Sequence, residues 1–145
     1  PPESAPAGPS PEKIAALAEE FLRIHGLLPV VVARRDWLLG VEGVHSLRSL
    51  LYQLFVEASA PHASTGVKRW SEKLTPEHRR TLESLPTGSA TRDGVIAGHL
   101  ALADAFRRHV PDICARQGVP WPARLERATF AHVERQLREL AVLAV

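Results

Sequence analysis

The strongest constraint on what this chain can fold into is the placing of its prolines and glycines, which cut it into segments that begin the way helices begin. Ser10-Pro11-Glu12 supplies a hydroxyl N-cap, a proline at the first helical position and an acid in the first turn. Ile14, Leu17, Phe21 and Leu22 follow at helical spacing, and Gly26 closes a helix of about 15 residues. Pro29 opens a second apolar stretch, Val30-Val31-Val32-Ala33, which runs through Trp37-Leu38-Leu39. Its β-branched residues suit a strand, but no turn chemistry or partner strand follows, so the reading is helix. Gly40 and Gly43 are expected to flank a short break.

Residues 43–58 give the clearest helix. Val44, Leu47, Leu51, Leu54, Phe55 and Ala58 make one apolar stripe. Ser46, Ser49, Gln53 and Glu57 make a polar one, and His45, Arg48 and Tyr52 share a third strip. After a loop over 60–66, residues 67–74 are expected to form a short helix. Thr75-Pro76-Glu77 starts another, which ends near Leu85-Pro86. Thr91 caps the next, whose apolar face carries Val95, His99, Leu102, Phe106 and Val110. Pro111 is expected to kink or restart it, and Gly118 to stop it. Pro120-Trp121-Pro122 reads as a rigid joint before a final helix carrying Leu125, Phe130, Val133, Leu137 and Leu140. The expectation is an all-α bundle of five to seven helices over residues 11–145, behind a Pro/Ala-rich linker over residues 1–10. The linker composition and the absence of any methionine lead us to expect the downstream part of a longer protein.

Composition narrows the function classes. No apolar run reaches the roughly 18 residues of a membrane span. Cys114 stands alone, so no disulfide framework is available and a reducing cytoplasm is the expected setting. The net charge of +2 is too small to argue for nucleic acid.

Several constellations bear on chemistry. None of the seven histidines stands in a metal-ligand spacing, so no metal is expected to be held by this chain alone, and His99 reads as a core histidine. Gly88-Ser89-Ala90-Thr91-Arg92-Asp93 resembles the Gly-Ser signature of nucleotidyltransferases, but Asp93 has no partner carboxylate and stands in a helix's first turn. Arg127 and His132 match a spacing found in small helical ribonucleases, yet five residues separate their side chains by about 140° around a helix. Lys68, Arg69, Trp70 and Lys73, followed by Arg79-Arg80, form a basic aromatic cluster. It reads either as a solvated face or as a phosphate contact, with Lys68 as a point charge. Arg48, Tyr52, Gln53 and Glu57 can line a cleft. At its helix end, Glu57 is either an accessible base or an ordinary exposed acid.

Longer strings carry a resemblance. Gly26-Leu27-Leu28-Pro29-Val30-Val31-Val32, Gly40-Val41-Glu42-Gly43-Val44, Leu51-Tyr52-Gln53-Leu54-Phe55-Val56-Glu57-Ala58, Gly66-Val67-Lys68-Arg69 and Leu74-Thr75-Pro76-Glu77 stand in an order and spacing similar to the C-terminal helical half of actinobacterial nucleotidyltransferase-domain proteins, related to the aminoglycoside nucleotidyltransferases. The resemblance covers about 120 residues. It implies an N-terminal α/β nucleotidyltransferase domain as partner, which carries the Gly-Ser loop and paired aspartates for ATP and Mg²⁺. The helical half then closes the site over a small-molecule acceptor. The resemblance implies Glu57, Tyr52 and Trp37 as acceptor-side residues and Lys68 as the nucleotide-phosphate contact. With the reading of the residues themselves, the expected site is Glu57 as catalytic base, Trp37, Arg48 and Tyr52 as acceptor contacts, and Lys68 and Arg69 as phosphate contacts. Without the paired carboxylates, this chain alone is expected to be inactive. The rival expectation is a stand-alone helical interaction module whose apolar stripes pair with a partner protein or with a second copy.

Overall fold

A computed structural model describes residues 9–59 and 70–142. Among them lie six α-helices, one 3₁₀ turn and no strand. The helices are α1 (Pro11–His25), α2 (Leu28–Arg34), α3 (Trp37–Ala58), α4 (Pro76–Ser84), α5 (Arg92–Arg116) and α6 (Ala123–Glu139). The all-α bundle expected from the sequence is the fold. No helix among the described residues is long and apolar enough to cross a membrane.

The caps work as their residue types dictate. The side chains of Ser10, Thr75 and Thr91 accept from the backbone N–H of Lys13, His78 and Gly94 at 3.3, 3.1 and 3.0 Å. Each satisfies one of the donors a helix start leaves unpaired. The α2–α3 boundary is closed without glycine. Arg35 adopts a left-handed conformation at φ 55. Its N–H donates to the Val32 carbonyl, and the Asp36 N–H reaches back to Val31, both at 3.1 Å. That is a Schellman closure on a residue that carries a Cβ. Asp36 then caps α3 by accepting from the Leu39 N–H at 3.2 Å.

The break expected at Gly40 and Gly43 does not exist, because α3 runs through both. These glycines serve close packing. A Cβ on Gly40 would stand 2.6 Å from a methyl of Val95, and one on Gly43 would stand 2.9 Å from the His99 ring. From the other side, a Cβ on Gly98 would meet Val44 at 2.9 Å. The backbones of α3 and α5 therefore approach through glycine on both helices, which is why α3 sits at the centre between α1 and α5. Nor does Pro111 restart α5, which is assigned as one helix from Arg92 to Arg116. The short helix expected over 67–74 is a 3₁₀ turn, Ser71–Lys73, with residues 67–69 outside the described residues.

Two apolar clusters hold the bundle. The larger joins α1, α3, α4 and α5, with Phe21 stacked on Phe106 at 4.1 Å. The smaller joins α2, the start of α5 and α6 through Leu28, Val31, Val95, Ile96, Val133 and Leu137. Leu125 and Leu140, expected on the inner face of α6, are 44% and 38% exposed, so that helix buries a narrower stripe than its sequence offers.

Candidate functional site

The polar residues of α3 do not converge on one cleft. Arg48 donates to the carbonyls of Leu82, Leu85 and Pro86. A cation there satisfies acceptors that the end of α4 leaves open and opposes the negative end of its dipole. One turn on, Tyr52 donates its hydroxyl to the Trp70 carbonyl at 2.8 Å and stacks on the Trp70 ring at 3.5 Å. Burial pushes its phenol pKa up. Arg48 and Tyr52 together fix the segment that follows residue 69 against α3.

Glu57 points elsewhere. One carboxylate oxygen accepts from the Ser10 N–H at 2.9 Å, and the other lies 3.4 Å from the Lys13 ammonium. The residue is 7% exposed, which corrects the expectation of an accessible end-of-helix acid. It ties the start of α1 to the end of α3, where a negative charge suits the dipole of α1. Trp37 stands at the opposite end of α3, about 30 Å away along the axis. It packs against the smaller apolar cluster. Lys68 and Arg69 lie outside the described residues.

A concave polar cleft opens elsewhere, between the end of α3, the start of α4 and the last turns of α5. Its volume is about 1110 Å³. Ser59, Thr75, Glu77, Asp112 and Gln117 contribute polar walls, and Lys73, Arg80, Arg108 and Arg116 contribute cations. His78 and His109 form the inner wall beside Phe55. His78 stacks on Phe55 at 3.9 Å, and His109 stands edge-on to both rings at 5.4 and 5.6 Å. His109 Nε2 shares a hydrogen bond with the Thr81 hydroxyl at 3.2 Å, while Nδ1 of His78 is buried without a partner. Burial, and then the neighbouring charge of His109, lowers the His78 pKa. Burial, and then the charge of Arg108, lowers that of His109. Both shifts favour the neutral ring, which carries one donor and one acceptor nitrogen. The sequence reading missed this pair. They are 31 positions apart on different helices, and no spacing rule links them.

A second histidine pair lies in the core. His25 and His99 are 1% and 2% exposed, with ring centroids 5.9 Å apart. His99 has no hydrogen-bond partner on either ring nitrogen. The core reading of His99 is thus the right one, though the residue is not hydrogen-bonded. Nearby, the Arg107 guanidinium lies 4.1 Å from the Phe130 ring centre and pairs with buried Glu126 at 2.7 Å. These contacts pin α6 to α5. Arg127 and His132 are both exposed on α6. Asp93 pairs with its neighbour Arg92 at 3.0 Å, as befits a first-turn acid.

Among the described residues, no three His, Cys, Asp or Glu side chains are grouped to hold a metal ion. No family profile, no curated protein and no solved structure matches this chain.

Proposed function

We propose that this chain is the helical, acceptor-side half of a two-domain nucleotidyltransferase, which moves a nucleoside monophosphate from ATP to a small molecule bearing hydroxyl or amino groups. The resemblance of short strings in the sequence prompts the reading, and the observation that carries it is the polar cleft between α3, α4 and α5. A concave site of about 1110 Å³, lined by both signs of charge, suits a polar ligand larger than a single ion. In this reading the Mg²⁺, and the chemistry it would supply, belong to the catalytic half. This half binds and orients. Holding two reactants in register accounts for a large share of the barrier in a bimolecular transfer.

In this reading Arg48, Tyr52 and Glu57 act as positioning residues. Arg48 and Tyr52 hold the segment after residue 69 against α3, and Glu57 anchors α1. The experiment is to read the coding sequence upstream of Pro1. A Gly-Ser loop followed by a strand with Asp-x-Asp supports the transferase. An initiator codon close before Pro1, with no such domain, overturns it.

One observation favours the interaction-module reading. Leu27, Val30, Leu38 and Leu39 are 44–76% exposed and cluster along α2 and the first turn of α3. That reading predicts concentration-dependent self-association in light scattering that is lost in Leu38→Asp. A monomer at all concentrations contradicts self-pairing.

A further inference from the structure

The charges of the cleft do not suit a cationic acceptor. Its walls carry four cations, Lys73, Arg80, Arg108 and Arg116, against three carboxylates, Glu72, Glu77 and Asp112. Two of the cations are spent within the fold, since Arg116 pairs with Asp112 at 3.1 Å and Arg108 with Asp104 at 2.9 Å. Glu72 is already partnered. Glu77 forms no ion pair among the described residues and leaves one negative charge on the wall. Lys73 and Arg80 form no ion pair among the described residues. The charge left for a ligand is therefore positive.

We propose that this cleft binds a phosphate-bearing small molecule, with Lys73 and Arg80 as its counter-charges. In the transferase reading, on which the naming of the phosphate's owner rests, the cleft then takes a phosphate-bearing reactant, either the nucleotide or a phosphorylated acceptor. Arginine offers a planar fork that matches two phosphate oxygens, and lysine offers a mobile point charge. The first turn of α4 lines the same space. Thr75 takes the His78 N–H and Pro76 has none, which leaves the Glu77 N–H unspent at the positive end of that helix. His78 and His109 line the same wall. The cleft is open to solvent and about 1110 Å³ in volume, room for a ligand larger than inorganic phosphate.

The test is calorimetric titration of the chain with sodium pyrophosphate, ATP, a sugar monophosphate and, as the opposite charge, spermidine, each at low and physiological salt. The expected result is pyrophosphate binding that weakens with salt and falls about tenfold or more in Lys73→Glu and in Arg80→Glu. Arg79→Ala, which removes a cation paired with Glu83 outside the cleft, leaves binding unchanged. Circular dichroism of each variant confirms that the fold persists. Pyrophosphate and ATP binding above the sugar monophosphate assigns the site to a nucleotide polyphosphate. The reverse order assigns it to a phosphorylated acceptor, and both keep the phosphate site. Spermidine binding without pyrophosphate binding overturns the proposal, as does pyrophosphate binding that Lys73→Glu and Arg80→Glu leave intact. If the complete protein transfers nucleotide but this chain does not bind pyrophosphate, the inference fails and the transferase reading stands. If pyrophosphate binds but no transfer occurs, the reading fails and the site stands.

Discussion

Glu57 and the core histidines show how a residue's surroundings decide its role. A carboxylate at the end of an amphipathic helix reads as an accessible acid, but here the start of α1 covers it and uses both oxygens. Glu57→Gln keeps an oxygen for the Ser10 N–H and loses only the pair with half-exposed Lys13. We therefore expect a stability loss below about 1 kcal/mol in urea unfolding. Glu57→Ala removes the acceptor too and costs about 1–3 kcal/mol. An intact fold with abolished transfer in Glu57→Gln would instead mark Glu57 as catalytic. His25 and His99 make a pH prediction. Burial lowers the His25 pKa from 6.5 to about 3, helped by the charges of His99 and Arg107, and burial lowers His99 to about 4. The fold favours both rings neutral, so below pH 6.5 the unfolded chain binds more protons than the folded one. Stability is full above the unfolded value and falls as the pH drops towards 4, at up to about 1.4 kcal/mol per pH unit per histidine. His25→Phe flattens that slope in a pH series of unfolding midpoints, and an unchanged slope contradicts the assignment.

At the scale of the element, capping was legible in the sequence because it is local. Ser10, Thr75 and Thr91 each act on a backbone N–H three residues away, and a hydroxyl before a helix can be recognised without knowing what it packs against. The glycines misled for the opposite reason. Alone, Gly40 and Gly43 look like helix breakers. Only the presence of Val95 and His99, over 50 positions later, turns them into points of close approach. The true break, at Arg35, carries no glycine, so its left-handed turn had no signature. Gly40→Ala separates the two accounts. A helix-break role predicts stabilisation of about 1 kcal/mol from helix propensity. The packed role predicts a net loss of about 1–3 kcal/mol, since the new methyl would overlap the side chain of Val95. The candidate site was half legible on the same logic. Lys73 and Arg80 stood out as part of a basic run, whereas the wall that receives them comes from α5 and needed the fold.

At the scale of the molecule, the bundle presents two different faces. The cleft at the end of α3 is polar and net cationic, while α2 and the opposite end of α3 expose apolar side chains beside Arg34 and Arg35. In the proposed two-domain transferase, the polar face handles the phosphate-bearing reactant. The measurement that tests this most directly is nucleotide transfer by the complete gene product, including whatever precedes Pro1. It uses ATP labelled on the α-phosphate, Mg²⁺ and a panel of aminoglycosides and polyols. The account predicts label on an acceptor and a raised KM for ATP in Arg80→Glu. No label on any hydroxyl- or amino-bearing acceptor, from a folded protein that holds a Gly-Ser loop and paired aspartates, would contradict it.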